Sequence, residues 1–77
     1  MSDYRTLDDL MKEEVTSVYE HDGFYYVKLK PRAYYENTIW KVDKKTGKAT
    51  YMMFTDFICH VLEFAKQIDP ETLKRAS

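Results

Sequence analysis

Cys59 and His60 are the residue types of a catalytic nucleophile and its general base, and they are adjacent in the sequence. The apolar spacing around them predicts a helix, in which adjacent side chains point about 100° apart and cannot form that hydrogen bond. The other histidine, His21, is distant in the sequence, and no pattern brings it to Cys59. We therefore predict no catalytic residue, and a protein that is not an enzyme.

The sequence also lacks recognisable metal-binding and phosphate-binding motifs. One cysteine and two widely separated histidines lack the paired spacing of structural zinc sites. Gly23 and Gly47 are the only glycines, too few for a glycine-rich phosphate loop. The acidic residues near the amino terminus lack the alternating ligands of a calcium loop, and we interpret them as a solvated helix face. The sequence predicts no metal and no cofactor.

Aromatic residues interleaved with basic ones are the pattern that does suggest binding. Six of the twelve aromatic residues lie between residues 24 and 40, among lysines and an arginine. Tyrosine, tryptophan and arginine often anchor protein interfaces, because they bury a large area with few torsions and keep a polar tip. The predicted partner-binding residues are Tyr19, Tyr26, Lys28, Arg32, Tyr34, Tyr35 and Trp40.

Charge is segregated along the chain although the net charge is −1. Residues 1–22 sum to −5 and residues 23–50 to +5. The alternative function is therefore single-stranded nucleic-acid binding, in which aromatic rings of residues 24–48 stack on bases and lysines contact phosphates. The acidic segment could also neutralise the basic one within the folded monomer. The overall charge near zero and the lack of an RNA-binding motif favour a protein partner.

Two hairpins are expected to position these residues. Asp22-Gly23 predicts a type I′ turn that pairs Tyr19 with Tyr26 and Thr16 with Leu29. Strands of about residues 36–42 and 48–54 follow, with Gly47 closing their connection and Trp40 opposite Tyr51. Alternation predicts a core face (Val18, Tyr25, Val27 and Leu29) and a second face (Tyr19, Phe24, Tyr26, Lys28 and Lys30).

Helices are expected at both ends. Thr6 and Asp9 predict a capping box and a short helix over about residues 7–14, whose apolar stripe could cover the second face. Apolar residues at helical spacing predict a long helix over about residues 56–68, capped by Thr55, and Asp69-Pro70 predicts a final short turn. The predicted fold is α+β, a four-stranded antiparallel meander with a long C-terminal helix on one face and a short N-terminal helix (order α-β-β-β-β-α).

Length and composition complete these expectations. A chain of 77 residues is too short for two hydrophobic cores, so we predict one domain spanning residues 1–77. A single cysteine cannot form an internal disulfide, which favours the cytoplasm. The amino terminus lacks a signal-peptide pattern, and no apolar run approaches the ~18 residues of a membrane span. The expected function is a small non-catalytic protein-binding domain, an adaptor or stoichiometric inhibitor, whose partner is another protein or a second copy of the chain.

Overall fold

An antiparallel sheet organises the protein. The computed structural model describes residues 5–31 and 37–76, and side chains as far as Leu73. In this part of the chain, six strands lie side by side in the order β1-β5-β4-β3-β2-β6. Their bounds are Arg5–Thr6 (β1), Val15–His21 (β2), Phe24–Leu29 (β3), Thr38–Asp43 (β4), Lys48–Met53 (β5) and Lys66–Ile68 (β6). The helices are Leu7–Met11 (α1), Phe54–His60 (α2) and Pro70–Ala76 (α3).

The predicted first hairpin is confirmed at its turn and wrong at its far end. Asp22 (φ 48°) and Gly23 (φ 83°) both adopt the positive φ of a type I′ turn, and Tyr19 pairs with Tyr26. A bulge at Thr16 then shifts the register, so Val15 rather than Thr16 pairs with Leu29. The bulge turns Val15 toward the core, while the Thr16 hydroxyl donates to the Lys28 carbonyl at 2.9 Å.

The predicted second hairpin has the expected register. Gly47 (φ 77°) closes the turn, and its amide donates to the Asp43 carbonyl at 2.8 Å. Val42 pairs with Ala49, and Trp40 pairs with Tyr51. Trp40 and Tyr51 therefore lie side by side on the same face of the sheet.

The predicted long C-terminal helix, and with it the order α-β-β-β-β-α, is wrong. Helix α2 ends at His60, and the amides of Val61 and Leu62 both donate to the Phe57 carbonyl at 2.9 Å as the chain turns away. Residues 66–68 then form β6 along the free edge of β2. The apolar spacing after His60 was misleading because Val61, Leu62 and Ala65 pack on the core from a turn.

The helix boundaries also differ from the prediction in detail. The Thr6–Asp9 capping box is confirmed, but α1 stops at Met11. Helix α2 begins at Phe54, and its N-cap is Met53 rather than Thr55. The predicted turn at Asp69-Pro70 is confirmed, since α3 begins at Pro70 and the Asp69 carboxylate accepts the Glu71 amide at 3.0 Å.

Helices cover parts of both faces of the sheet. On the first face, Val18, Val27, Val42 and Ala49 are fully buried with Leu10 of α1, and Leu73 of α3 joins them. On the second face, Tyr26 and Ile39 are buried with Phe57 of α2. The expectation that the N-terminal helix covers the second face is therefore wrong, because α1 follows β1 onto the first face.

Candidate partner-binding site

Two of the predicted binding residues pack inside the protein. The ring of Tyr26 is 5.1 Å from that of Phe57 between centroids, and the Tyr26 side chain is only 3% exposed. Tyr19 is half-buried on the other side of the same Phe57 ring, at 5.0 Å. Burial raises the pKa of the Tyr26 phenol above its ordinary value, with a smaller effect from the Asp22 carboxylate. A partner cannot reach Tyr26 without displacing α2.

Lys28 is also engaged within the fold. Its ammonium donates to the Thr38 carbonyl at 2.9 Å and lies 5.1 Å from the centre of the Phe54 ring. Because the side chain is half-buried between β4 and α2, it holds these elements together. Three further predicted residues, Arg32, Tyr34 and Tyr35, lie outside the described residues; in sequence they follow Pro31.

Trp40 has a different environment from Tyr19 and Tyr26. It lies on the first face, where the Arg5 guanidinium is 5.5 Å from its ring centre and the Tyr51 ring meets it edge-on at 5.7 Å. Tyr51 is 68% exposed, and Met53, two residues further along the same strand face, is also exposed. Trp40 itself is half-buried against the first-face core. We call the surface formed by Trp40 and the exposed residues Tyr51 and Met53 the exposed shelf.

A cleft of about 780 Å³ opens beside Trp40. Its lining consists of strand-end residues on one side and of the segment between α1 and β2 on the other: Arg5, Glu13, Glu14, Leu29, Lys30, Pro31, Thr38 and Trp40. Arg5 forms an ion pair with Glu13, and the Lys30 ammonium lies 3.2 Å from a carboxylate oxygen of Glu14. The cleft therefore combines an apolar wall with both signs of charge.

Helix α1 is short and covers only part of the first face. Leu7 begins the helix after the Thr6 cap and Met11 ends it, so its five residues rise only about 7.5 Å. The chain then enters β2, where the Lys30 amide donates to the Glu14 carbonyl at 2.9 Å. This bond places Glu13 and Glu14 beside the ends of β3 and β4, facing Trp40 across the cleft.

Sequence reasoning missed Arg5, Tyr51 and Met53 as surface candidates. The predicted register did place Tyr51 beside Trp40, but it could not show which helix covers that face. Arg5 belongs to a two-residue strand that pairs with Ala49 and Lys48. Such a strand is too short to produce a readable alternation in the sequence.

Other reactive side chains do not assemble into a site in the described ranges. Cys59 and His60 are both exposed on α2. No group of three or more histidine, cysteine, aspartate or glutamate residues is placed to hold a metal ion among the residues that the structure describes. In the same part of the chain, no helix combines the length and the apolar character needed to cross a membrane.

Comparison with known proteins gave no relatives. Neither the protein-family models, nor the curated proteins, nor the solved structures contained a match to this chain.

Proposed function

We propose that this chain is a small, non-catalytic, cytosolic protein-binding domain, an adaptor or stoichiometric inhibitor, whose cleft and exposed shelf receive an extended segment of another protein. The observation that carries the proposal is the 68% exposure of Tyr51 beside Trp40 and Arg5. Tyrosine, tryptophan, arginine and methionine are enriched in the cores of protein interfaces. Residues of all four types, Arg5, Trp40, Tyr51 and Met53, lie on the first face.

The size of the cleft supports an extended segment as the occupant. Its volume, about 780 Å³, lies within the range of about 300–1,000 Å³ typical of ligand pockets. A space of this size accepts a few side chains rather than the face of a folded domain. Tyr51 and Met53 continue the apolar surface beyond the cleft, and the rest of the segment can contact these exposed side chains.

The charges around the cleft favour a segment with an apolar residue flanked by charged ones. Lys30 and Glu14 form an exposed pair, and such pairs contribute only about 0–1 kcal/mol. A charged side chain of the partner can therefore replace one member at little cost. An apolar side chain would displace water from Trp40 and Leu29, which gives the affinity.

The cytosolic part of the proposal is supported by the single cysteine. Cys59 is an exposed free thiol, and small secreted domains of this length normally use cysteines in pairs.

A peptide-display selection tests the proposal. Linear segments selected on the wild-type chain, with counter-selection on Tyr51→Ala, are expected to share an apolar residue flanked by charge. A selected segment should bind the wild-type chain in solution and compete with the protein from which it derives. Light scattering during sizing provides the control for self-association. A stable dimer whose interface contains Tyr51, or a failure to enrich any Tyr51-dependent segment, would contradict this occupant.

A further inference from the structure

The second face also has an area that its helix does not cover. Helix α2 crosses the sheet above Tyr26 and Ile39, and the turn ends of β3, β4 and β5 extend beyond it. A shallow depression of about 400 Å³ lies there. We call it the lysine patch; its lining residues are Phe24, Lys41, Asp43, Thr46, Lys48 and Thr50.

Lysines outnumber acidic residues in the lining of the lysine patch. Its described lining residues include Lys41 and Lys48 against Asp43, a sum of +1, so the rest of the chain sums to −2 for the net charge of −1. Lys41 and Lys48 are diagonal neighbours on β4 and β5, since Lys41 pairs with Thr50. Diagonal neighbours lie about 7–8 Å apart, so both ammonium groups can reach one bound chain.

The side chains of Lys41 and Lys44, near the patch, have defined contacts. The Lys41 ammonium lies 4.2 Å from the centre of the Phe24 ring, which holds it over the sheet. Lys44 instead belongs to the first face, where it contacts the Tyr25 ring at 4.8 Å and donates to Glu20, lowering the pKa of that carboxyl. The Asp43 carboxylate accepts the Lys45 amide at 2.8 Å and reduces the local charge by one.

We propose that the lysine patch binds the phosphate backbone of a single-stranded nucleic acid, with Lys41 and Lys48 contacting phosphates. The hydroxyls of Thr46 and Thr50 are exposed in the same depression and supply further donors to phosphate oxygens. The Phe24 ring positions Lys41, and a base can stack on it when Lys41 turns toward a phosphate. This site is independent of the cleft, because the two lie on opposite faces of the sheet.

A nucleic-acid strand suits these residues better than a phosphorylated peptide. Phosphopeptide sites typically use arginine forks that bind one phosphate through two parallel hydrogen bonds. The lining of the lysine patch contains lysines and no arginine. Lysines act as separate point charges, which suits a row of phosphates more than one dianion.

Fluorescence anisotropy of labelled oligo-dT and oligo-U with the full chain at low salt tests this proposal. Two phosphate contacts predict that log K falls with log salt concentration with a slope of about −1.4. Lys41→Gln/Lys48→Gln should weaken binding at least tenfold. Lys12→Gln/Lys66→Gln, which removes the same charge from exposed positions elsewhere, should weaken it less than threefold.

The competing outcomes are distinct. Inorganic phosphate at millimolar concentration should compete only weakly with the oligonucleotide, whereas tight binding of a phosphopeptide but not of the oligonucleotide would overturn the proposal. An equal loss of oligonucleotide affinity in the two double variants would also overturn the proposal. The absence of binding at low salt would do the same. Tyr51→Ala, on the opposite face, should bind the oligonucleotide like the wild-type chain, so failure of the cleft proposal leaves this one testable.

Discussion

The two faces of the sheet both carry aromatic residues, but α2 packs on the rings of Tyr19 and Tyr26 on the second face, whereas Tyr51 on the first face is exposed. On the second face, Phe57 of α2 lies 5.0–5.8 Å from the rings of Tyr19, Tyr26 and Phe54, and these rings form core. On the first face, Trp40 is half-buried against the core that includes Leu10 of α1, and Tyr51 beside it is 68% exposed. Aromatic content therefore does not identify a binding face; the position and length of the covering helix decide it.

Removal of Phe57 should have the largest effect on stability. Its side chain is fully buried at the centre of the second face, so Phe57→Ala is expected to lower the free energy of unfolding by about 3–5 kcal/mol. Urea unfolding followed by circular dichroism measures this. That loss approaches the whole stability of a small domain, so Phe57→Ala could unfold the protein. Phe57→Leu is expected to lower the free energy of unfolding by only about 1 kcal/mol and therefore provides a variant that stays folded.

Phe64→Ala is the matched control. This residue is 64% exposed and stacks on His21 with 6.0 Å between ring centres. The change should alter the free energy of unfolding by no more than about 0.5 kcal/mol. Equal losses for Phe57 and Phe64 would mean that α2 is not packed on the second face.

Loss of the α1 cap should have a smaller effect. In Thr6→Ala the Asp9 amide loses its acceptor, and the expected loss of unfolding free energy is about 1 kcal/mol. Thr55→Ala is the control, because Thr55 lies within the first turn of α2 and does not cap it. If Thr55→Ala lowered the unfolding free energy more than Thr6→Ala did, Thr55 would be the cap of α2, as the sequence predicted.

Alkaline pH should selectively weaken the second face. The raised pKa of Tyr26 means that the folded state keeps its phenol neutral at a pH where the unfolded chain has ionised. Its contribution is fully present below the ordinary tyrosine pKa, about 10, and is lost as the pH rises through the folded pKa. Unfolding free energies on either side of pH 10 should fall more in the wild-type chain than in Tyr26→Phe. Equal slopes would contradict the buried phenol.

The sequence predicted the turns and the first cap of this fold, misplaced the cap of α2, and missed the long-range pairing of β6. The turn at Asp22-Gly23 and the capping box at Thr6 depend on residues within one turn, and both are confirmed. The choice between helix and strand at Lys66–Ile68 depends on the free edge of β2, which is distant in sequence. Local periodicity carries no information about such an edge.

The candidate site was predicted only in part for the same reason. Trp40 and its neighbour Tyr51 followed from the hairpin register, which local turn chemistry sets. The burial of Tyr26 depends on Phe57, more than twenty residues away and on a different element. Solvent exposure is a property of the assembled layers, so a pattern within one strand cannot supply it.

Fluorescence of Trp40 tests the central claim most directly, because it is the only tryptophan and it lines the cleft. Titration of the wild-type chain with a display-selected segment should shift the Trp40 emission and give a dissociation constant. Tyr51→Ala should raise that constant at least tenfold, whereas Phe64→Ala, which removes an equally exposed aromatic ring elsewhere, should leave it within twofold. Binding without a change in Trp40 emission, or equal loss in the two variants, would contradict a binding site on the first face.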